Sequence, residues 1–256
     1  MRLRLATVAV LMLAVACSPA PSAVGDSATS SHSSAAVAGA VRPVVVLDPG
    51  HNGGNGANPE TINQPVPNGR GGFKACNTVG AATDAGYPEH AFNWDVALRV
   101  RTILRASDIE VFLTRPDDTG VGPCVNERAA IGNRAQADAV VSIHADGGPP
   151  DGRGFRVIYS DPPLNEAQGA PSVALATTLR NSLRDAGFPP ADYIGTDGLN
   201  GRDDLAGLNH SERPAVLVEC GNMRNSTEAA GISSSEGRAR YATAIADGIM
   251  RWLADR

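Results

Sequence analysis

From Val44 onward the chain alternates short apolar runs with longer stretches in which apolar residues recur every three or four positions. The runs Val44–Leu47, Glu110–Thr114, Ala139–Ile143, Phe155–Tyr159 and Ala215–Val218 are rich in Val, Ile and Phe and are bounded by Pro, Asp or Gly, which predicts strands. Between the first two, Glu89–Ala106 sets Phe92, Val96, Val100 and Ile103 on one helical face. Val125–Gln136, Ser172–Ala186 and Glu236–Ala254 predict further helices, the second with Pro171 just ahead and Gly187 as its stop. Strand–helix alternation of this kind predicts an α/β fold, a mostly parallel twisted sheet with helices on both faces. In such sheets ligand sites gather at the carboxyl ends of the strands.

The first forty residues follow another pattern. Arg2 and Arg4 precede the apolar stretch Ala6–Ala16, which ends in Ala14, Val15 and Ala16. A basic start, an apolar centre and small residues at the end predict a secretory signal over residues 1–16, too short to span a bilayer comfortably. Cleavage before Cys17 also fits a bacterial lipoprotein site, with Ala14 standing where such sites usually have Leu. Export to the periplasm or cell wall is therefore expected, with a lipid tether through Cys17 as a second reading. Residues 17–40 are mostly Ser, Ala, Gly and Pro and predict a disordered spacer. A single domain is expected over residues 41–256, with no repeat at a period of 20–50 residues.

Composition narrows the partners. The 256 residues carry a net charge of −5, and removing Arg2, Arg4 and Asp26 with the leader leaves −6. No basic excess is left to embrace nucleic acid. The absence of a heptad pattern predicts a monomer. An oxidising compartment allows a disulfide among Cys76, Cys124 and Cys220. Cys76 and Cys124 lie in Gly/Pro-rich loop sequence, whereas Cys220 ends an apolar run, so the expected pair is Cys76–Cys124 and the other reading leaves all three free.

Three predicted strands end in chemistry. Val44–Leu47 runs into Asp48, Pro49, Gly50 and His51, Ala139–Ile143 is followed by His144, and Ala215–Val218 by Glu219. A carboxylate closing so apolar a run is costly to desolvate without a partner or a task. A catalytic zinc site takes three protein ligands and leaves the fourth position to water. Two histidines need one more ligand, and Glu89, at the start of the first helix, is the best placed. Neighbouring His90 points about 100° away. Equally, Glu89 is an acidic residue favoured by the helix dipole, and on spacing alone the two readings stay open.

The ordered segments Val46-Leu-Asp-Pro-Gly-His-Asn-Gly-Gly54, Glu89-His-Ala-Phe-Asn-Trp-Asp-Val-Ala97, Leu113-Thr-Arg115, Asn126-Glu-Arg-Ala-Ala130, Val140-Val-Ser-Ile-His-Ala145 and Ala215-Val-Leu-Val-Glu-Cys-Gly-Asn-Met-Arg-Asn225 resemble the zinc-dependent N-acetylmuramoyl-L-alanine amidases of the type-3 family. The likeness is greatest to single-domain actinobacterial and mycobacterial members. It implies a peptidoglycan hydrolase that cuts the amide between N-acetylmuramic acid and the L-alanine of the stem peptide. It also implies one zinc ion held by His51, Glu89 and His144, with Glu219 as the catalytic carboxylate. Two positions depart from the family pattern, Asp146 where Asn is frequent and Asn222 where an aromatic is common.

Around this core, Arg115, Arg202, His210 and Asn222 are candidate substrate contacts. Arg128 is a candidate contact or brace, Asn209 sits beside His210, and Asn52–Gly72 is a candidate lid or recognition loop. Three rival readings are a phosphate-binding loop at Pro49–Gly56, a zinc peptidase acting within the stem peptide, and a catalytically silent peptidoglycan-binding protein. The first lacks the Gly-x-Gly-x-x-Gly spacing and an immediate helix.

Overall fold

Val45, Val46 and Leu47 are all buried, because their strand lies inside a sheet that is covered on both sides. The computed structural model describes residues 42–256. The expected signal peptide, the whole of the spacer and Cys17 lie outside the described residues. The strands are β1 (Val44–Pro49), β2 (Pro65–Pro67), β3 (Phe73–Ala75), β4 (Glu110–Leu113), β5 (Ala139–Asp146), β6 (Arg156–Ser160), β7 (Leu199–Arg202) and β8 (Ala215–Asn222). The helices are α1 (Pro59–Ile62), α2 (Glu89–Ala106), α3 (Val125–Arg134), α4 (Ala170–Asp185), α5 (Ala206–Asn209), α6 (Ser226–Ser233) and α7 (Ser235–Ala254). None of these helices is long and apolar enough to cross a membrane.

Six strands form the main sheet in the order β4-β1-β5-β8-β6-β7. β4, β1, β5 and β8 run parallel, whereas β6 is antiparallel to β8 and parallel to β7. The sheet is thus mostly parallel, as expected, with two reversed strands at one edge. The apolar runs carried no information about direction, so the reversal was not visible in them.

Period-two alternation splits the strands between two faces. Val45, Leu47, Val141, Ile143, Val216 and Val218 point to one side, where they pack with Phe92, Val96 and Val100 of α2, Leu175 and Leu179 of α4 and Ile245 and Ile249 of α7. Val46, Val140, Ala215, Leu217 and Ile158 point to the other, where they meet Ile131 and Ala135 at the end of α3 and Leu205 and Leu208 around α5. The second cover is smaller and leaves the carboxyl-terminal half of that face to polar side chains.

The strands that bear His144 and Glu219 extend beyond their expected ends. β5 includes His144 and Asp146, and β8 includes Glu219, with His144 opposite Glu219 and a bulge between His144 and Asp146. Asn52–Gly72 is not one open loop. It holds a 3-10 turn at Asn55–Ala57, α1, and the β2 arm of a hairpin completed by β3. Cys76 and Cys124 form the expected disulfide, tying the base of that hairpin to the start of α3. Closing a loop of 48 residues stabilises the fold by roughly 4 kcal/mol in the chain-entropy model. Cys220 is free and buried among apolar side chains.

Candidate metal centre and active site

Three elements bring the candidate ligands together. His51 follows β1, Glu89 opens α2 and His144 stands near the end of β5. Glu89 lies between the imidazoles, with Oε2 3.1 Å from His51 Nε2 and Oε1 2.9 Å from His144 Nδ1. One donor atom from each residue lies within 4.8 Å of the others, a group that could hold a metal ion. Of the two readings of Glu89, its placement fits the ligand better than a solvated helix-end charge, because the residue is only 4% exposed.

The surroundings aim these donors. His51 Nδ1 meets the Thr78 carbonyl at 3.0 Å, which leaves Nε2 as the lone-pair nitrogen on the Glu89 side. Glu89 Oε2 accepts the Ala81 N–H at 2.7 Å, and Oε1 accepts the Ala145 N–H and Asn93 Nδ2. Burial opposes the Glu89 charge, but the His51 and His144 imidazoles outweigh it and hold the carboxyl well below its usual range. His51 has φ of 58°, a left-handed conformation uncommon for a residue with a side chain. Gly50 must be glycine, since a Cβ there would lie 2.1 Å from the His144 ring. Gly80, at φ +88°, is constrained likewise by His51 and Glu89.

A second layer fixes the His51 loop. Arg128 donates to the carbonyls of Pro49 at 2.8 Å and His51 at 2.9 Å and to Asp48 Oδ1 at 2.8 Å. Asp48 also accepts the hydroxyls of Thr114 and Ser142, at 2.6 and 2.7 Å. Burial alone would raise the Asp48 pKa, yet Arg128 and the two hydroxyls bring it down to about 2. Arg128 is therefore the brace among its two expected roles.

Glu219 stands opposite His144 on the neighbouring strand. Its Oε2 is buried without a hydrogen-bond partner, while Oε1 lies 3.6 Å from Arg156 Nη2. Burial, reinforced by the charges of Glu89 and Asp146 and only partly opposed by His144 and Arg156, pushes its pKa up to about 7. A carboxylate poised near neutrality suits proton transfer in either direction. From His51 and His144 a cavity of about 170 Å³ runs down the sheet face over Ser142, Val140 and Leu217 and under Lys74 and Leu205.

Several expected substrate contacts hold the protein together instead. Arg115 is 1% exposed and spends its guanidinium on the Pro49, Asp117 and His90 carbonyls and on Asp118, which leaves no face for a ligand. Asn222 is also buried, its Nδ2 holding the carbonyls of Pro149 and Gly152. His210 turns toward the β2–β3 hairpin, with Nε2 3.0 Å from the Pro67 carbonyl, and Asn209 bonds Asn68 and Arg70 of the same hairpin. Arg202 shares the site face, opposite Ser160, and pairs with Asp204 at 2.5 Å. Sequence reasoning missed Arg156 and Tyr193. The one available signal was an arginine at the start of an otherwise apolar strand.

An α/β sheet bearing a His-Glu-His donor group, with a separate, largely buried carboxylate one strand away, has the layout of a metal-dependent hydrolase. The chain belongs to the N-acetylmuramoyl-L-alanine amidase family Amidase_3, whose model matches residues 45–251. It is 50% identical over 224 residues to the N-acetylmuramoyl-L-alanine amidase Rv3717 of Mycobacterium tuberculosis, an alignment covering 88% of this chain and 92% of that protein. Among solved structures it resembles the amidase Ami1 from Mycobacterium smegmatis, with a TM-score of 0.81 and 54% identity over 84% of this chain and 98% of that one. Ami1 from Mycobacterium abscessus, in its apo form, gives 0.80 and 53% over 83% and 100%. The protein is thus an N-acetylmuramoyl-L-alanine amidase by family and by relatives.

Proposed function

We propose that this amidase cleaves peptidoglycan between N-acetylmuramic acid and the L-alanine of the stem peptide, using one zinc ion held by His51, Glu89 and His144. The observation that carries the zinc assignment is the donor set itself, two imidazoles around a buried carboxylate within 4.8 Å. Imidazole and carboxylate suit zinc. A zinc ion bound there supplies Lewis acidity and lowers the pKa of water to about 7.

The rest of the work falls to the chain. Glu219, opposite His144 in the sheet and with its pKa raised to about 7, takes the proton of the attacking water as the lactyl carbonyl is attacked. It then returns that proton to the departing alanine nitrogen. Arg128 and Asp48 keep the His51 loop in place. Arg202 sits on the same face and, of the expected substrate contacts, is the one left for a stem-peptide carboxylate.

The family and the leader pattern at Arg2, Arg4 and Ala6–Ala16 support export, with residues 41–256 as the catalytic domain. Anchoring through Cys17 is the alternative to free release. The reaction is tested by digesting purified peptidoglycan and identifying the new amino terminus. Alanine is expected, with activity abolished by EDTA and restored by zinc. A different amino terminus would support a stem-peptide peptidase instead, and a zinc-loaded protein that releases nothing would point to a silent binding protein.

A further inference from the structure

We infer that Arg156, held by Asp146 and Tyr193, is a positioning residue that sets the orientation of the Glu219 carboxylate. The inference rests on the reading of Glu219 as the proton-transfer group and extends it to three residues outside the donor set.

The arrangement follows from the reversal of β6. Because β6 runs antiparallel to β8, its first residue, Arg156, stands directly opposite Glu219. The two side chains share a face as a cross-strand pair. Arg156 Nη1 is 2.5 Å from Asp146 Oδ2, and its Nη2 is 3.6 Å from Glu219 Oε1. Tyr193 donates its hydroxyl to the same Asp146 oxygen at 2.6 Å. Hydrogen bonds thus run from Tyr193 and from Arg156 to Asp146, and the other amino group of Arg156 forms a longer ion pair with Glu219.

Each member of that group is held in turn. The Tyr193 ring lies against the Gly148–Gly152 turn, where a Cβ on Gly148 or Gly152 would come within 2.7 or 2.6 Å of it. Asn222 secures this turn through the Pro149 and Gly152 carbonyls. Asn222 therefore serves the site indirectly, from three residues beyond Glu219.

A purely structural role explains this poorly. Arg156 is 4% exposed and its Nε has no partner. Burying a guanidinium with an idle donor is costly, and apolar residues fill such a place at least as well. Arg115 and Arg128, the other buried arginines on this side, direct their donors to the β1 loop. Among the described residues Arg156 is the one arginine or lysine within ion-pair distance of Glu219. Holding the carboxylate in one orientation is what a base needs in order to meet a water molecule at one fixed angle.

The test compares Arg156→Met, Arg156→Lys, Asp146→Asn and Tyr193→Phe with Glu219→Gln. Steady-state kinetics on a soluble muropeptide, bound zinc and the thermal midpoint are read for each. Arg156→Met is expected to lower kcat by up to about 10²-fold at unchanged KM and zinc content. Arg156→Lys should recover part of the loss, and Tyr193→Phe should lower kcat by a few-fold. If Arg156→Met does not fold, Tyr193→Phe, which keeps the ring, carries the test. Unchanged kcat in folded, zinc-loaded Arg156→Met or Tyr193→Phe would overturn the inference, as would a loss confined to KM. If Glu219→Gln itself turned over normally, the reading of Glu219 would fall, an outcome distinct from failure of the positioning role alone.

Discussion

The two faces of the main sheet are built from alternate residues of the same strands, yet they do different things. One face presents Val45, Leu47, Val141, Ile143, Val216 and Val218 to three long helices and is apolar along its whole length. The other shows Val46, Val140 and Leu217 only at its amino-terminal end, and two residues further along the same strands it shows Asp48, Ser142 and Glu219. Stability is concentrated on the first face and chemistry on the second. Burial of apolar area, at roughly 25 cal/mol per Å², lets the first face support the desolvated charges of the second. α2 links them, since its stripe Phe92, Val96 and Val100 packs on the apolar face while its first residue, Glu89, reaches past the sheet edge to the donors.

This division can be broken from either side. The largest expected effect is on the apolar face. Leu179→Ala, at a fully buried position of α4, should cost about 2–5 kcal/mol in urea unfolding. Metal content and kcat per folded molecule should stay at wild-type values. A loss of kcat in folded Leu179→Ala would show that the faces are not separable.

The next effect lies beneath the donors. The folded-state pKa of Asp48 is held down to about 2, so the stabilisation from its ion pair is complete above the unfolded value near 3.9 and is lost as pH falls through 2. At neutral pH Asp48→Asn should be less stable than wild type by roughly 2 kcal/mol, at about 1.4 kcal/mol per pKa unit. Stability curves measured from pH 4 down to pH 2 should converge. A gap that stayed constant over that window would assign the cost to shape rather than charge. A smaller change is expected from Asn93→Ala, which removes the amide that joins Glu89 Oε1 to the Gly50 carbonyl. Zinc affinity should weaken by about 10–100-fold in competition with a chelator, with little change in the thermal midpoint of the zinc-loaded protein.

How far the sequence anticipated this molecule differs between the same two faces. The apolar face was legible because its signal is local. The spacing of Phe92, Val96 and Val100 predicted α2 as Glu89–Ala106, and those are its bounds. The five predicted strands are all present, with ends displaced by one to four residues. The polar face was legible only where a chemical residue follows an apolar run, as at His51, His144 and Glu219. What was missed depends on distant partners. The β2–β3 hairpin carries two prolines in one arm and is secured by Arg70 and Lys74 reaching to Asn209 and Asp204, more than 100 positions away. β7, Leu-Asn-Gly-Arg, is too polar to register as a strand and is held by parallel pairing to β6. Arg115 looked like a ligand contact because an exposed and a buried arginine read the same in a sequence. Only the fold shows the Pro49 and His90 carbonyls that occupy it.

The central claim is that the His51, Glu89 and His144 group holds the metal while Glu219 moves the proton. It is tested most directly by measuring bound zinc and turnover together in wild type, Glu89→Ala and Glu219→Gln. One zinc per chain is expected in wild type and in Glu219→Gln, and none in Glu89→Ala. Turnover should fall by about 10²-fold or more in Glu219→Gln and be absent in Glu89→Ala. Loss of zinc from Glu219→Gln, or near-normal turnover in it with zinc in place, would contradict the account.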